Sequence, residues 1–374
     1  RSPEGEGTPM NTPDHTPFVW QGRIDTEETG DSTRWHQRVR PFDTASQGGV
    51  ALIGFAVDEG VRRNGGRSGA ADGPRALRAA LANLPVLGEP ALWDAGDVDG
   101  HRHTLEDAQQ ALAHRIADAV AQGCRPLVLG GGHEVAWGTF QGIARAHPDR
   151  RRVLIVNLDA HFDLRMAAQG NSGTPFRQIA DWCQAQGRPF DYHVLGISRF
   201  ANTQALFDRA TALGVRHRLD EQLQSAEQLA QAQAALAHDL ALCDGVYLTV
   251  CLDVLPASLA PGVSAPAPLG LPLAHVEALV DQVMASGRVL AADLAELNPL
   301  LDEGGRTARV AARLAARIAR GFGQALMDPV GRDRIDEYTP TRDNMHDAGG
   351  LADRYGQMLV YEIKPWVDHT WRTR

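Results

Sequence analysis

Lysine is almost absent from this chain. Among its 374 residues Lys364 is the single lysine, so every other basic side chain is an arginine. A Schiff-base lysine, a phosphate-binding GxxxxGK[ST] loop and a kinase-type catalytic lysine all require a lysine inside an ordered core. Because Lys364 lies close to the C-terminal end, the sequence excludes enzymes that work through lysine chemistry.

Paired cysteines, long apolar runs and excess positive charge are also lacking. The four cysteines show no CxxC spacing, no apolar stretch approaches the roughly 18 residues of a membrane span, and the first 18 residues contain no signal-like apolar run. Acidic residues outnumber basic ones by 46 to 37, which gives no basic footprint for nucleic acid. We expect a cytoplasmic protein with a small-molecule ligand and with neither a membrane nor a nucleic-acid partner.

Short apolar runs alternate with alanine-rich stretches of helical spacing. Strands are predicted at 50–58, 126–132, 153–160, 192–198, 245–254 and 289–297, and helices at 73–83, 104–122, 134–146, 202–213, 221–240, 272–286 and 305–325. This alternation predicts an α/β fold in which helices cover both faces of a mostly parallel sheet, as a three-layer αβα sandwich.

Three segments are predicted from the distribution of these patterns. Residues 1–48 are rich in Pro, Gly, Thr and charge, which predicts a flexible N-terminal extension. Residues 49–327 form one catalytic domain, and residues 328–374, where the periodicity ends, form a C-terminal tail of unassigned order.

Four of the apolar runs end in side chains that bind metals or move protons. The carboxyl ends of parallel strands lie at one edge of a sheet, where sites form. In DAHFD the three polar residues have i, i+2 and i+4 spacing, which places them on one face of an extended strand. The residues at these strand ends are His133 and Glu134; Asp159, His161 and Asp163; Cys251 and Asp253; and Asp293 and Glu296.

The DAHFD segment is the strongest of these signals. Two carboxylates directly after the apolar run VLIVN would be desolvated together, and buried like charges are tolerated mainly when a cation compensates them. The other three strand ends are weaker signals for a metal site when each is taken alone. They carry a histidine after a glycine turn, a buried cysteine with an aspartate, and an acidic pair at the start of a loop. Other motifs fail: Trp137 stands where HExxH needs histidine, and neither a GxSxG elbow nor a helix-opening GxGxxG is present.

An oxygen-rich ligand set with two imidazoles is typical of a manganese site, with zinc, iron or magnesium as alternatives. The set contains enough ligands for two ions that share a carboxylate, and such a pair makes hydroxide available near neutral pH. The sequence therefore predicts a metal-dependent hydrolase.

In these motifs the chain resembles the ureohydrolase family, the manganese enzymes that include arginase, agmatinase and formimidoylglutamase. The resemblance spans about residues 50–325 through GRSGAADGPRALR (66–78), GGGHE (130–134), NLDAHFD (157–163), LTVCLD (248–253) and DLAELNP (293–299). RRNGGRSGA (62–70), DLR (163–165), NSGTPF (171–176) and LGISRFANT (195–203) are most similar to the formimidoylglutamase branch.

The resemblance implies an arginase-like fold and two manganese ions per chain. His133, Asp159 and Asp163 match the ligands of one ion, and Asp159, His161 and Asp253 match those of the other. The family's bridging aspartate falls on Cys251, whose thiolate would favour zinc or iron, whereas a neutral thiol would leave one ion tightly held.

The implied reaction is one of histidine degradation, the hydrolysis of N-formimidoyl-L-glutamate to L-glutamate and formamide by attack of metal-bound hydroxide. Asp163 would carry the proton to the leaving nitrogen, and Glu296 would hold the amidinium group. Arginine binds carboxylates through two parallel hydrogen bonds. Substrate-binding candidates are Arg67, Arg165 and Arg199, with Asn202 and Thr174 as weaker polar ones.

Two alternatives remain open at this point. Another ureohydrolase, acting on a guanidino acid or agmatine, would share the metals but not the arginine contacts, and Cys251 is also consistent with a degenerate, non-catalytic binding protein. The family often forms trimers or hexamers, so the resemblance implies a homo-oligomer.

Overall fold

A nine-stranded parallel sheet forms the centre of the computed structural model, which describes residues 17–100 and 103–327. The strand order across the sheet is β1-β3-β2-β4-β9-β8-β5-β6-β7. The strands are β1 (Arg40–Pro41), β2 (Val50–Ala56), β3 (Leu92–Asp99), β4 (Arg125–Leu129), β5 (Val153–Leu158), β6 (Asp191–Ile197), β7 (Arg216–Leu219), β8 (Gly245–Cys251) and β9 (Val289–Ala295).

Helices cover both faces of this sheet. They are α1 (Trp35–Arg38), α2 (Glu59–Arg63), α3 (Gly73–Ala82), α4 (Leu105–Ala121), α5 (Val135–Ala146), α6 (Pro175–Ala185), α7 (Gln204–Ala212), α8 (Ala226–Ala241), α9 (Leu273–Ala285) and α10 (Arg306–Met327). Apolar residues of α3, α8, α9 and α10 share one core with the sheet, and those of α4 to α7 pack on the other face.

Strand β2 shows how the sequence produces these two cores. Val50 and Leu52 belong to the core beneath α3, whereas Ala51, Ile53 and Phe55 belong to the core beneath α4. A strand that is buried on both faces has no polar side to alternate, so it appears in the sequence as a continuous apolar run. The predicted three-layer fold with a mostly parallel sheet is therefore confirmed.

The sequence patterns did not predict six elements: β1, β3, β7, α1, α2 and α6. Helix α1 and strand β1 lie within the predicted extension 1–48; Trp35 is completely buried and β1 pairs with β3. Residues 1–16 and the predicted tail 328–374 lie outside the described residues. No helix among the described residues is long and apolar enough to cross a membrane.

The strand order brings the four motif-bearing strands together. β4, β9, β8 and β5 are consecutive neighbours near the middle of the sheet. The pairing register aligns the ends of these strands, since Leu158 lies opposite Val250 and Val250 lies opposite Leu294. Their carboxyl ends therefore reach one edge of the sheet at the same level.

Candidate metal centre and substrate pocket

Each motif places its functional side chains just beyond the end of one of these four strands. His133 follows β4 in a glycine turn that leads into α5, and Asp159, His161 and Asp163 follow β5. Cys251 is the last residue of β8, Asp253 lies in a single 3₁₀ turn after it, and Glu296 follows β9. The predicted ligands and both predicted catalytic carboxylates thus converge at one place.

Two groups of side chains have the geometry of metal ligands. One consists of His133, Asp159 and Cys251, and the other of Asp159, His161 and Asp253; within each group the potential ligand atoms lie within 4.8 Å of one another. Asp159 belongs to both groups, so the two groups share one carboxylate. Asp163, which the family resemblance places in the set of His133 and Asp159, is in neither group.

The ring of His133 is oriented as a metal ligand. Its Nδ1 atom lies 3.0 Å from Asp159 Oδ2 and 2.9 Å from Asp163 Oδ2. Nevertheless this buried nitrogen makes no hydrogen bond within the described part of the chain. A buried polar atom without a partner requires an explanation, and a bound ion is one that suits a nitrogen beside two carboxylates. Nδ1 and the two carboxylate oxygens would suit a single cation as donor atoms, once the ring proton between them is lost.

The electrostatics of the cluster also fit a cation. Burial lowers the pKa of His133, but Asp159 and Asp163 outweigh it and the pKa lies well above its ordinary value. Burial also lowers the pKa of His161, but Asp253 and Asp159 outweigh it, so this pKa too lies well above its ordinary value. Without an ion, protons on the imidazoles compensate the carboxylates, and metal binding replaces such protons.

The two predicted catalytic carboxylates share an unusual backbone conformation. Asp163 has φ of 48° and Glu296 has φ of 72°, and they are the two non-glycine residues with positive φ in the described chain. Left-handed backbone is costly for such residues and persists where the surrounding structure imposes it, often at active sites. Glu296 is held by two hydrogen bonds, from its N–H to Gly131 O (2.8 Å) and from His133 N–H to its Oε1 (2.9 Å).

Burial raises the pKa of Glu296 to about 7, and the charge of Asp253 adds to this shift. A cationic group bound beside Glu296 would favour its ionised form and remove this cost. The position is therefore suited to pairing with a positively charged substrate group.

One cavity of about 390 Å³ opens onto both ligand groups. Its lining includes the predicted residues His133, His161, Asp163, Arg165, Cys251, Asp253, Glu296, Arg67 and Asn202. A cavity of this size accommodates a small-molecule ligand.

The two arginines in the lining differ in their partners. Arg67 donates from Nε to Ser264 O (2.9 Å) and from Nη2 to Val263 O (2.8 Å). The guanidinium of Arg165 has no hydrogen bond or ion pair with another described residue, although its backbone N–H donates to Gly173 O (2.8 Å). Of these two arginines, Arg165 is therefore the one whose whole guanidinium is without a partner among the described residues.

The structure does not bring Arg199 and Thr174 into the cavity lining. Arg199 is exposed and pairs with Glu221, with Nη2 2.9 Å from Oε1. The Thr174 hydroxyl is buried and bonds to Asn171 O and Gln178 Oε1 at the start of α6. Both side chains are engaged in contacts outside the cavity lining, and their predicted role in substrate binding stays a prediction.

Comparison with known proteins gives a consistent result. The arginase family model matches residues 48–320.

This chain belongs to the arginase family.

Relatives within the family extend over most of the chain. The formimidoylglutamase of Ralstonia nicotianae is 53% identical over 311 residues, which cover 82% of this chain and 95% of the relative. The formimidoylglutamase of Aeromonas hydrophila is 53% identical over 306 residues, covering 81% of this chain and 97% of the relative.

Solved structures agree with the arginase-family fold. The formiminoglutamase of Trypanosoma cruzi with Mn²⁺ has a TM-score of 0.68 and 28% identity, covering 78% of this chain and 99% of that one. The formimidoylglutamase of Bacillus subtilis has a TM-score of 0.72 at 24% identity, covering 80% and 94% of the two chains, and supports the fold alone.

Cys251 stands where the family resemblance implies an aspartate that touches both ions. The thiol is 1% exposed, and burial together with the charges of Asp159 and Asp253 raises its pKa well above the ordinary value. A thiolate at this position therefore requires a cation beside it.

Sequence reasoning missed three polar side chains of the cavity wall. Asn64 and Ser172 line the cavity and are joined by a hydrogen bond from Asn64 Nδ2 to Ser172 Oγ (3.1 Å). Both lie inside segments that resemble the formimidoylglutamase branch, which was the available signal. Ser264 contributes from a proline-rich loop, 261–268, in which nothing distinguishes it from a turn residue.

Proposed function

We propose that this arginase-family protein hydrolyses N-formimidoyl-L-glutamate to L-glutamate and formamide. One observation supports this most directly: the two ligand groups that share Asp159 open onto the same cavity as the unpaired guanidinium of Arg165. The relatives that are about half identical over most of the chain are formimidoylglutamases. The substrate has an amidine at one end and two carboxylates at the other. The amidine would lie at the metal-ligand groups, and the carboxylates would lie at the guanidinium of Arg165.

Two Mn²⁺ ions are proposed as the resident cofactor. His133, Asp159, Asp163 and Cys251 would hold one, and Asp159, His161, Asp253 and Cys251 would hold the other. The neighbouring T. cruzi structure was solved with Mn²⁺. When bound, a pair of such ions lowers the pKa of a water molecule, so that hydroxide is available near neutral pH.

Asp163 and Glu296 have separate tasks in this proposal. Asp163 accepts a proton from the attacking water and returns it to the nitrogen of glutamate as that nitrogen leaves. Glu296 receives the planar N–C–N end of the substrate through two charge-assisted hydrogen bonds. Because the His133 N–H already fixes Glu296 Oε1, the carboxylate is oriented before the substrate arrives.

The carboxylates of the substrate bind at the wall formed by Arg165, Arg67 and the amide of Asn64. Arg165 makes the main contact, because both of its terminal nitrogens lack partners among the described residues and its fork matches a carboxylate. Arg67 has Nη1 available, since its other donors hold the 263–264 backbone. Asn202 supports the site indirectly, with its amide donating to Ala160 O (2.9 Å).

Product analysis tests this function. The metal-loaded protein should release formamide from N-formimidoyl-L-glutamate and release no urea from agmatine, arginine or shorter guanidino acids. The Asp163→Asn variant, which cannot carry the proton, serves as the matched negative control. Urea from any guanidino compound without formamide from the formimidoyl substrate would instead identify another ureohydrolase.

The family resemblance also supports a wider setting for this activity. We propose that the catalytic domain corresponds to residues 49–327, and that the protein acts in histidine degradation in the cytoplasm as a homo-oligomer. Measurement of the molecular mass in solution tests whether the protein is a homo-oligomer.

A further inference from the structure

Arg63 lies outside the cavity lining but joins three separate parts of the chain. It is the last residue of α2, and its side chain is 17% exposed. Its Nε donates to Glu59 Oε1 (3.0 Å) within α2, and its Nη1 donates to Glu106 Oε1 (2.6 Å) in the first turn of α4. The same Nη1 also donates to the backbone oxygen of Gly170 (3.0 Å). The guanidinium is therefore fixed by two carboxylates and in turn holds one distant carbonyl group.

Gly170 belongs to the loop 165–173, from which Arg165 and Ser172 line the cavity. The base of this loop is closed by the hydrogen bond from Arg165 N–H to Gly173 O, and residues 165–169 are exposed. Among the described residues, Gly170 O is the only atom of 166–170 that forms a hydrogen bond. An exposed segment with so few hydrogen bonds has low local stability. The contact with Arg63 is therefore the one that fixes this half of the loop.

The residue after Arg63 holds the same loop at a second point. Asn64 Nδ2 donates to Ser172 Oγ (3.1 Å), and both of these side chains line the cavity. Arg63 makes the stronger of the two contacts, because its donor is charged. Two neighbouring residues at the end of α2 thus hold the loop that carries Arg165, one from inside the cavity and one from outside it.

We propose that Arg63 is a positioning residue for the binding of the substrate carboxylates, and that it acts through the loop that carries Arg165. This inference rests on the proposed function, which assigns Arg165 to that binding. The hydrogen bonds of Arg63 go to Glu59, Glu106 and Gly170, and none of these is a proposed metal ligand. A guanidinium whose loop is already held in place loses less conformational freedom when the substrate binds, so the contact strengthens binding.

Calorimetric titration of the Mn²⁺-loaded full chain with L-glutamate tests this role, because L-glutamate carries two carboxylates and no amidine. Arg63→Gln should raise the Kd of L-glutamate and the KM of N-formimidoyl-L-glutamate about tenfold, the size expected for loss of a hydrogen bond from a charged donor. The change in kcat should be smaller, and the Mn²⁺ content should stay native.

Arg62→Gln is the matched control. Arg62 is the neighbouring residue of the same helix, its side chain is 68% exposed, and it pairs with Glu59 through Nε and Nη2, both at 2.6 Å. Within the described part of the chain it has no hydrogen bond to Glu106 or Gly170. The two variants therefore remove the same charge from one helix, but only Arg63→Gln releases the loop. The Kd and KM of Arg62→Gln should stay native.

A double-mutant cycle shows whether Arg63 acts through Arg165. In the Arg165→Ala background the loop no longer presents a guanidinium, so the addition of Arg63→Gln should raise the Kd of L-glutamate by about twofold at most. Independent contributions would instead multiply, and the full tenfold loss would appear again.

Native affinity for L-glutamate in Arg63→Gln, an equal loss in Arg62→Gln, or the full further loss in the Arg165→Ala background would overturn the inference. A purely structural role would lower the thermal unfolding temperature of Arg63→Gln and leave its Kd native. If Arg63→Gln does not fold, Glu106→Gln takes its place, because it weakens the same contact from a partner that is 56% exposed. Native affinity in Glu106→Gln would then count against the inference in the same way.

The two proposals fail distinguishably. A native chain that binds L-glutamate but releases no formamide would overturn the proposed function alone. A native chain that releases formamide, with Kd and KM unchanged in Arg63→Gln, would overturn the inference alone. A native chain that neither binds L-glutamate nor releases formamide would overturn both.

Discussion

The side chain of Arg165 lies directly on the backbone of Gly173. A Cβ atom at residue 173 would stand 2.7 Å from Arg165 Cδ and 3.1 Å from its Nε. The backbones are tied at the same point, because the Arg165 N–H donates to Gly173 O at 2.8 Å. A larger residue at 173 would therefore displace the flexible arginine side chain, press more lightly on Asn64 Nδ2 at 3.1 Å, and leave the backbone in place.

We predict that Gly173→Ala weakens substrate binding by moving the guanidinium of Arg165. KM for N-formimidoyl-L-glutamate should rise about tenfold, equivalent to about 1.4 kcal/mol, while metal content stays native. Steady-state formamide release and elemental analysis measure the two quantities. Gly30→Ala is the matched control, since a Cβ there meets no atom within 4 Å. An unchanged KM in Gly173→Ala would show that Arg165 does not contact the substrate from its observed position.

Replacement by lysine tests which of the two exposed arginines, Arg165 or Arg199, binds the substrate carboxylates. Lysine keeps the charge but cannot make the planar two-point contact. Arg165→Lys should raise KM about tenfold with a smaller effect on kcat. This is the result expected when the lost interaction is equally strong in the bound substrate and in the transition state.

Arg199→Lys provides the control for this experiment, because Arg199 pairs with exposed Glu221 and lies outside the cavity lining. Its kinetics should match those of the native chain. If Arg199→Lys raised KM and Arg165→Lys did not, the substrate carboxylates would have to bind on the Arg199 side.

Replacement of Cys251 by aspartate should change the metal preference. The soft thiolate favours zinc over manganese, whereas a carboxylate is a hard oxygen ligand. Competition between Zn²⁺ and Mn²⁺ for Cys251→Asp should therefore shift towards Mn²⁺ relative to the native chain. Cys183→Ala, which changes a buried cysteine of α6, should leave the competition unaltered. An identical preference in Cys251→Asp and the native chain would place the thiol outside the coordination sphere.

The ligands could be predicted from the sequence because each follows an apolar strand. His133, Asp159 and Asp253 are polar residues at the ends of buried runs, where a polar side chain has to be justified by a partner. The edge strands lacked this signal: β3 reads LWDAGDVD and is only partly buried, and β7 is the four-residue segment RHRL. Without a continuous apolar run or strict alternation, neither segment is distinguishable from a loop.

The cavity wall was harder to predict than the ligands. Arg67, Arg165 and Arg199 look alike in the sequence, and their roles depend on which way their loops turn. Thr174 was predicted to bind substrate, but its position before Pro175 makes it the start of α6, and its hydroxyl serves that turn. Ser264 reaches the cavity from a segment about 200 residues away from Arg67, a contact that only the folded chain reveals.

The left-handed backbone of Asp163 and Glu296 has a consequence for engineering. Glycine adopts such angles without the steric cost, about 1 kcal/mol or more, that other residues incur. Selection of variants for heat resistance alone would therefore enrich glycine at the two positions that the proposed chemistry needs. A directed-evolution campaign on this protein should hold both codons fixed, or screen each round for turnover as well as for survival.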